Sequence, residues 1–122
     1  MSSLQESLRQ IMALEGVRTV AVIDIATGMI VGSAGEQDSD FLAAAATMAG
    51  EAKMARAALG PSCPGGDLDE ISVVTAERLH MSRILNSSLG EGLLLFVDLD
   101  RTRSNIALAS LRVGQAAPGV LA

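Results

Sequence analysis

Residues 93–99, Leu-Leu-Leu-Phe-Val-Asp-Leu, constrain the fold more than any other part of the chain. The run is too short for an ordinary buried helix and is apolar at six of its seven positions, so it reads as a strand with both faces out of water. Residues 17–25 repeat the signal with β-branched Val17, Thr19, Val20, Val22 and Ile23, apolar on both faces at 20–23. A sheet with two such strands needs a layer of cover on each side. A chain of 122 residues can supply that within one domain, typically about 100–150 residues.

The remaining elements follow from local patterns. Ser3 and Glu6 form a capping-box pair, and Leu4, Leu8, Ile11 and Met12 then recur on one helical face. This predicts a helix over 3–15, stopped by Gly16. Ala26-Thr27-Gly28 is a turn that leads into a second strand over 29–33. Asp38, Ser39 and Asp40 are suitable caps for a helix over 41–59, which Gly60-Pro61 ends. Residues 68–75 and 79–85 read as two more strands. In the second, Leu79, Met81 and Arg83 point one way, and His80, Ser82 and Ile84 the other. Asp100 and Thr102 are expected to cap a last helix with apolar Ile106, Ala109, Leu111 and Val113. Gly114 should end it, leaving 115–122 as a frayed tail after a single domain over 1–114. Short turns join adjacent strands, so the sheet should be antiparallel. Five strands then form the centre of an α+β fold (mixed α/β), with helices one and three on one face and helix two on the other.

Helix two is unusual. It holds nine alanines and no proline, so its helix propensity is high. Phe41, Ala45, Met48, Ala52, Ala55 and Leu59 lie on one face. The opposite face carries Ala43, Thr47, Gly50, Met54 and Ala57, with Ala46 beside them. A surface helix normally turns a polar face outward. Here the only charges, Glu51, Lys53 and Arg56, sit on the flanks between the two stripes. Small residues on the outer stripe suit the close approach of a second helix. Strand three offers an edge for pairing through Ile71 and Val73.

Charge and composition exclude several functions. A net charge of −5 and only two aromatic residues disfavour a nucleic-acid binder. No stretch reaches the ~20 apolar residues of a membrane span, and the start lacks a signal-peptide pattern. One cysteine, Cys63, excludes a disulfide framework, and the chain reads as cytosolic. No P-loop or nucleophile elbow is present, and one His with one Cys does not make a metal site. Cys63 reads as an incidental thiol and His80 as a locally bonded imidazole. Asp24, Asp98 and Asp100 are assigned to turns and caps, because adjacent antiparallel strands would carry Asp24 and Asp98 to opposite ends of the sheet. No catalytic, cofactor or metal residue is assigned, and the chain does not read as an enzyme.

In this order the elements resemble the roadblock family, the dynein light-chain type whose bacterial members include gliding-motility regulators. The likeness rests on five features: Glu15-Gly16-Val17-Arg18 after an amphipathic helix, strand 19–24, Gly28 closing a turn into strand 29–33, the Ala-rich helix 41–59, and the glycine-led strand 92–98. It spans residues 2–114. The resemblance implies a profilin-like five-stranded sheet and homodimerisation through helix two and strand three. It implies binding of small Ras-like GTPases, without nucleotide binding by the chain itself. It also implies a setting beside a membrane histidine kinase, with membrane recruitment through partners. Ala43, Ala46, Thr47, Gly50, Met54, Ala57, Ile71 and Val73 are the expected dimer contacts, and Glu51, Lys53 and Arg56 the expected partner contacts. A small-molecule sensory domain is the alternative from another class, weakened by the scarcity of aromatics that line such pockets.

Overall fold

The computed structural model describes residues 3–59, 68–85 and 92–120. The side chain of Ser3, the loop at 60–67 with Gly60-Pro61 and Cys63, and the turn at 86–91 lie outside the described residues. Helix α1 is Ser3–Met12, β1 Val17–Asp24, β2 Ile30–Gly35, α2 Ser39–Ala58, β3 Glu70–Val74, β4 Arg78–Leu85, β5 Leu93–Asp100 and α3 Ile106–Val120. The five strands form one antiparallel sheet in the order β2-β1-β5-β4-β3.

The two strands expected to be buried on both faces lie side by side. β1 and β5 pair through Val20 with Val97, Ala21 with Phe96 and Val22 with Leu95. Successive residues point to opposite faces, so each strand feeds two cores. On one face Val20, Val22, Leu95, Val97 and Leu99 pack with Leu8 and Ile11 of α1 and Val113 of α3. On the other, Ala21, Ile23, Leu94 and Phe96 pack with Phe41, Ala45, Met48, Ala49 and Ala52 of α2. The Phe41 and Phe96 rings stand 5.8 Å apart, joining α2 to the centre of the sheet.

The ends of the elements follow local chemistry. Gly16 has φ +88°, the left-handed conformation expected where the chain leaves α1, and α1 itself ends a turn earlier than the spacing predicts. Its carbonyl accepts from the Asp100 amide at 2.8 Å, tying the start of β1 to the end of β5. Asp38 caps α2, its Oδ1 accepting from the Phe41 amide at 2.9 Å.

The last helix departs from expectation at both ends. Asp100 caps a single 3₁₀ turn, Arg101–Arg103, and Asn105 caps α3 by accepting from the Leu108 amide at 3.0 Å. Helix α3 then continues through Gly114 to Val120, with Pro118 inside it. The stretch from Gln115, expected to be frayed, buries Ala117 and Val120 against the α1 side of the core. That burial opposes the interior costs of about 1 kcal/mol for a glycine and about 3 kcal/mol for a proline. Ile106 and Leu111, placed on the inner face by sequence, are exposed; Ala109 and Val113 are buried there as expected.

On β4, Leu79 and Met81 face α1 and α3 while Ile84 faces α2, as the alternation predicts. Ser82 is fully buried, and its hydroxyl has no hydrogen-bond partner among the described residues. A buried hydroxyl without a partner costs about 1–3 kcal/mol. Ser82→Ala should therefore raise stability by about 1 kcal/mol, read as a higher urea midpoint at unchanged slope.

Candidate interaction surface

One side of α2 closes the core, and the other meets solvent without a charge. Ala43, Ala46, Thr47, Gly50, Met54 and Ala57 are all exposed, and Met54 leaves 70% of its surface in water. The Thr47 hydroxyl donates to the Ala43 carbonyl at 2.9 Å, so the single polar side chain on this stripe is satisfied within its own helix. A side chain added at Gly50 would meet nothing within 4 Å. Glu51 and Lys53 are exposed on the flanks, and Arg56 is half-buried. The inner stripe differs slightly from the sequence reading. Ala49 joins Phe41, Ala45, Met48 and Ala52 in the core, whereas Ala55 is half-buried and Leu59 exposed, because the apolar cluster beneath the helix ends at Ala52.

The same side of the sheet runs out to β3, which is an edge strand. The Thr75 amide donates to the Arg78 carbonyl and the Ile84 amide to the Asp69 carbonyl, both at 2.9 Å. Alternate residues therefore bond inward, and Glu70, Ser72 and Val74 turn their backbone N–H and C=O groups outward. Ile71 packs against the α2 cluster and is half-buried, while Val73 is exposed beside it. The structure thus brings Ile71 and Val73 onto the sheet face that α2 covers.

A polar cluster lies at one end of this face. The Asp98 carboxylate, on a residue only 6% exposed, takes Arg78 Nη1 at 3.1 Å and stands 3.3 Å from His80 Nε2. The His80 ring meets Phe96 edge-on at 5.4 Å. The imidazole is held locally, as expected, but the Arg78–Asp98–His80 grouping was not legible in sequence. It arises because the register sets both Arg78 and His80 beside the C-terminal end of β5, with His80 directly opposite Asp98. Asp24 faces Leu93 at the other end of β1 and accepts from the Ala26 amide at 3.1 Å, a turn role. No group of three His, Cys, Asp or Glu among the described residues could hold a metal ion.

Beyond Asp98, a cleft of about 680 Å³ opens among Gly16, Arg18, Gly35, Glu36, Asp100 and Arg103. Its charged groups are largely engaged. Arg18 pairs with Glu36 at 2.7 Å, and Asp100 accepts from the Thr102 hydroxyl at 2.8 Å and its amide at 3.0 Å. The Thr102 hydroxyl, opposed by modest desolvation and aided by its own amide and by Arg103 and Arg18, holds the Asp100 carboxyl below the usual carboxylate range.

A five-stranded antiparallel sheet in this order, with two helices on one face and one long helix on the other, is the roadblock fold. The structure is similar to that of the gliding protein MglB from Thermus thermophilus, with a TM-score of 0.77 and 18% identity over 97% of this chain and 85% of that one. A roadblock/LC7 domain from Streptomyces avermitilis gives a TM-score of 0.73 at 16% identity, covering 97% of this chain and 91% of that one. Myxococcus xanthus MglB gives 0.72 at 18% identity, covering 97% and 88%. No protein-family model matches the sequence, and no curated protein sequence is similar to it. The shared feature at these identities is the fold. No helix among the described residues is long and apolar enough to cross a membrane.

The lowered pKa of Asp100 gives a pH test with a definite sign. A depressed carboxyl adds stability above the ordinary Asp range, and that increment is lost as pH falls through the folded-state pKa. Thr102→Val removes the main cause. The variant should be less stable than the parent at pH 7, and the two should converge toward pH 2 in urea titrations.

Proposed function

We propose that the protein is a non-enzymatic homodimeric scaffold that binds a small Ras-like GTPase and modulates its nucleotide cycle or its localisation. The single observation that carries the dimer is the uncharged, solvent-facing stripe of α2, open at Gly50 and crowned by Met54. A helix with apolar or small residues all round is suited to burial on two sides. In this reading Ala43, Ala46, Thr47, Gly50, Met54 and Ala57 meet the same residues of a second copy. Ile71, Val73 and the outward backbone groups of β3 extend the contact along the sheet edge. Glu51, Lys53 and Arg56 border this surface and contact the partner.

The GTPase assignment and the non-enzymatic assignment both rest on the roadblock fold, shared with the MglB structures, together with the family resemblance of the sequence. The protein would act in the cytosol, near a sensor histidine kinase system, and reach the membrane only through partners. A sensory role is not favoured. The cleft at the end of the sheet is open and polar, and its Arg18 and Glu36 already neutralise each other.

Two measurements test this. Light scattering should give a dimer for the parent and a monomer for Gly50→Leu and Ala46→Glu. The Gly50→Leu monomer should remain folded, since the added side chain enters open space and improves helix propensity by up to about 1 kcal/mol. A monomeric parent at high concentration overturns the interface. The GTPase role is tested by mixing the protein with a Ras-like GTPase encoded beside it and following GTP turnover and labelled-nucleotide release. A severalfold change in either rate, or retention of the GTPase in one nucleotide state, is expected. No binding to either state overturns it.

A further inference from the structure

Gly114 lies in the interior of α3, where a glycine weakens the helix. The side chain that meets it comes from β4. A Cβ added at Gly114 would stand 3.5 Å from Arg83 Cζ and 3.6 Å from each of its terminal nitrogens, so the guanidinium lies flat over this turn of the helix. The same group reaches the start of β3. Arg83 Nη1 donates to Glu70 Oε1 at 3.0 Å, and Nη2 donates to Asp69 Oδ2 at 3.4 Å. The Arg83 and Glu70 side chains leave only 26% and 25% of their surfaces in water. Glu70 Oε2 in turn accepts from the Ser72 hydroxyl at 3.3 Å. Arg83 and Glu70 are directly opposite in the register, at a position without ladder hydrogen bonds, where facing side chains approach most closely.

We propose that Arg83 is a positioning residue for the edge of β3: seated on Gly114, it holds Glu70 and Asp69 and so prepares that strand to pair with a second copy. The inference rests on the homodimer proposed for this chain and names what makes its edge competent to pair. Charge is one reason. Carboxylates on an edge strand oppose pairing between edges, and this chain has a net charge of −5. One guanidinium engages both acids, so the strand meets its copy without two uncompensated charges at its start. Anchorage is the other reason. β3 is five residues long, is bonded on one side only, and turns just the Ile71 and Val73 amides inward to β4. Arg83 adds a tie from that strand to α3. A cross-strand ion pair by itself needs no glycine on a third element. A methyl group at position 114 still fits beneath the guanidinium, whereas a longer side chain displaces it.

The test combines sedimentation equilibrium with amide hydrogen exchange on the whole chain. Arg83→Met keeps an unbranched stem and removes the charge; circular dichroism checks its fold. It should raise the dimer dissociation constant about tenfold. It should also speed exchange of the Ile71 and Val73 amides, while the amides of β1, a strand paired on both sides, keep their protection. Adding Glu70→Gln to Arg83→Met should recover part of the lost affinity, because it removes a carboxylate that is no longer neutralised. Gly114→Ala should leave the dissociation constant within about twofold of the parent, and Gly114→Leu should reproduce Arg83→Met. The proposal is overturned if Arg83→Met dimerises as tightly as the parent, or if its exchange rises equally throughout the sheet. It is also overturned if folded Gly114→Leu dimerises as well as Gly114→Ala. A monomeric parent overturns the homodimer and this use of the edge together, an outcome distinct from a dimeric parent whose affinity Arg83→Met leaves unchanged.

Discussion

The ladder between β1 and β5 is the interaction on which the rest of this structure depends. It satisfies the backbone of two strands whose side chains leave water on both faces, and a sheet of that kind cannot exist without cover above and below. The three helices are arranged to meet that need. Among the described residues α1 and α3 share one face, and α2 is the helix that serves the other. The outer strands then soften toward solvent, with β3 changing from half-buried Glu70 and Ile71 to exposed Ser72, Val73 and Val74.

Covering one whole face with a single helix explains much of the character of α2. Alanines let the helix lie close to a floor built from Ala21, Ile23, Leu94 and Phe96, and two phenylalanines supply the bulk that the alanines lack. The same composition continues around the helix into solvent, where nothing in the monomer requires it. Propensity alone would allow alanine there, but it gives no reason for Gly50, which weakens the helix, or for Met54, which exposes apolar surface. A contact between copies gives a reason for both.

The order and type of all eight elements were legible in the sequence, because the decisive signals were strong ones: a continuous apolar run that marks a strand with two buried faces, a long alanine-rich helix, and glycines at turns. The inner and outer stripes of α2 were also legible, apart from Ala49, Ala55 and Leu59 near the edge of the floor. The end of α3 was not. Gly114 and Pro118 are local stop signals, and only the tertiary burial of Ala117 and Val120 overrides them. The cap of α3 was misplaced for a related reason, since a 3₁₀ turn separates Asp100 from the helix that Asn105 caps. The grouping of Asp98 with Arg78 and His80 depends on strand register, which no stretch of sequence contains by itself. The exposure of Leu111 was hidden because an apolar residue in a helix is read as inward by default.

The position of the central ladder also bears on how the chain reaches its native state. Val20 pairs with Val97, partners more than seventy positions apart, while β1–β2 and β3–β4 are joined locally. Closing so large a loop must precede the burial that rewards it. During synthesis β1 emerges as an apolar strand with one edge unpaired and waits for β5, the last strand to be made. Until β5 pairs with it, that edge of β1 is open to association with another chain.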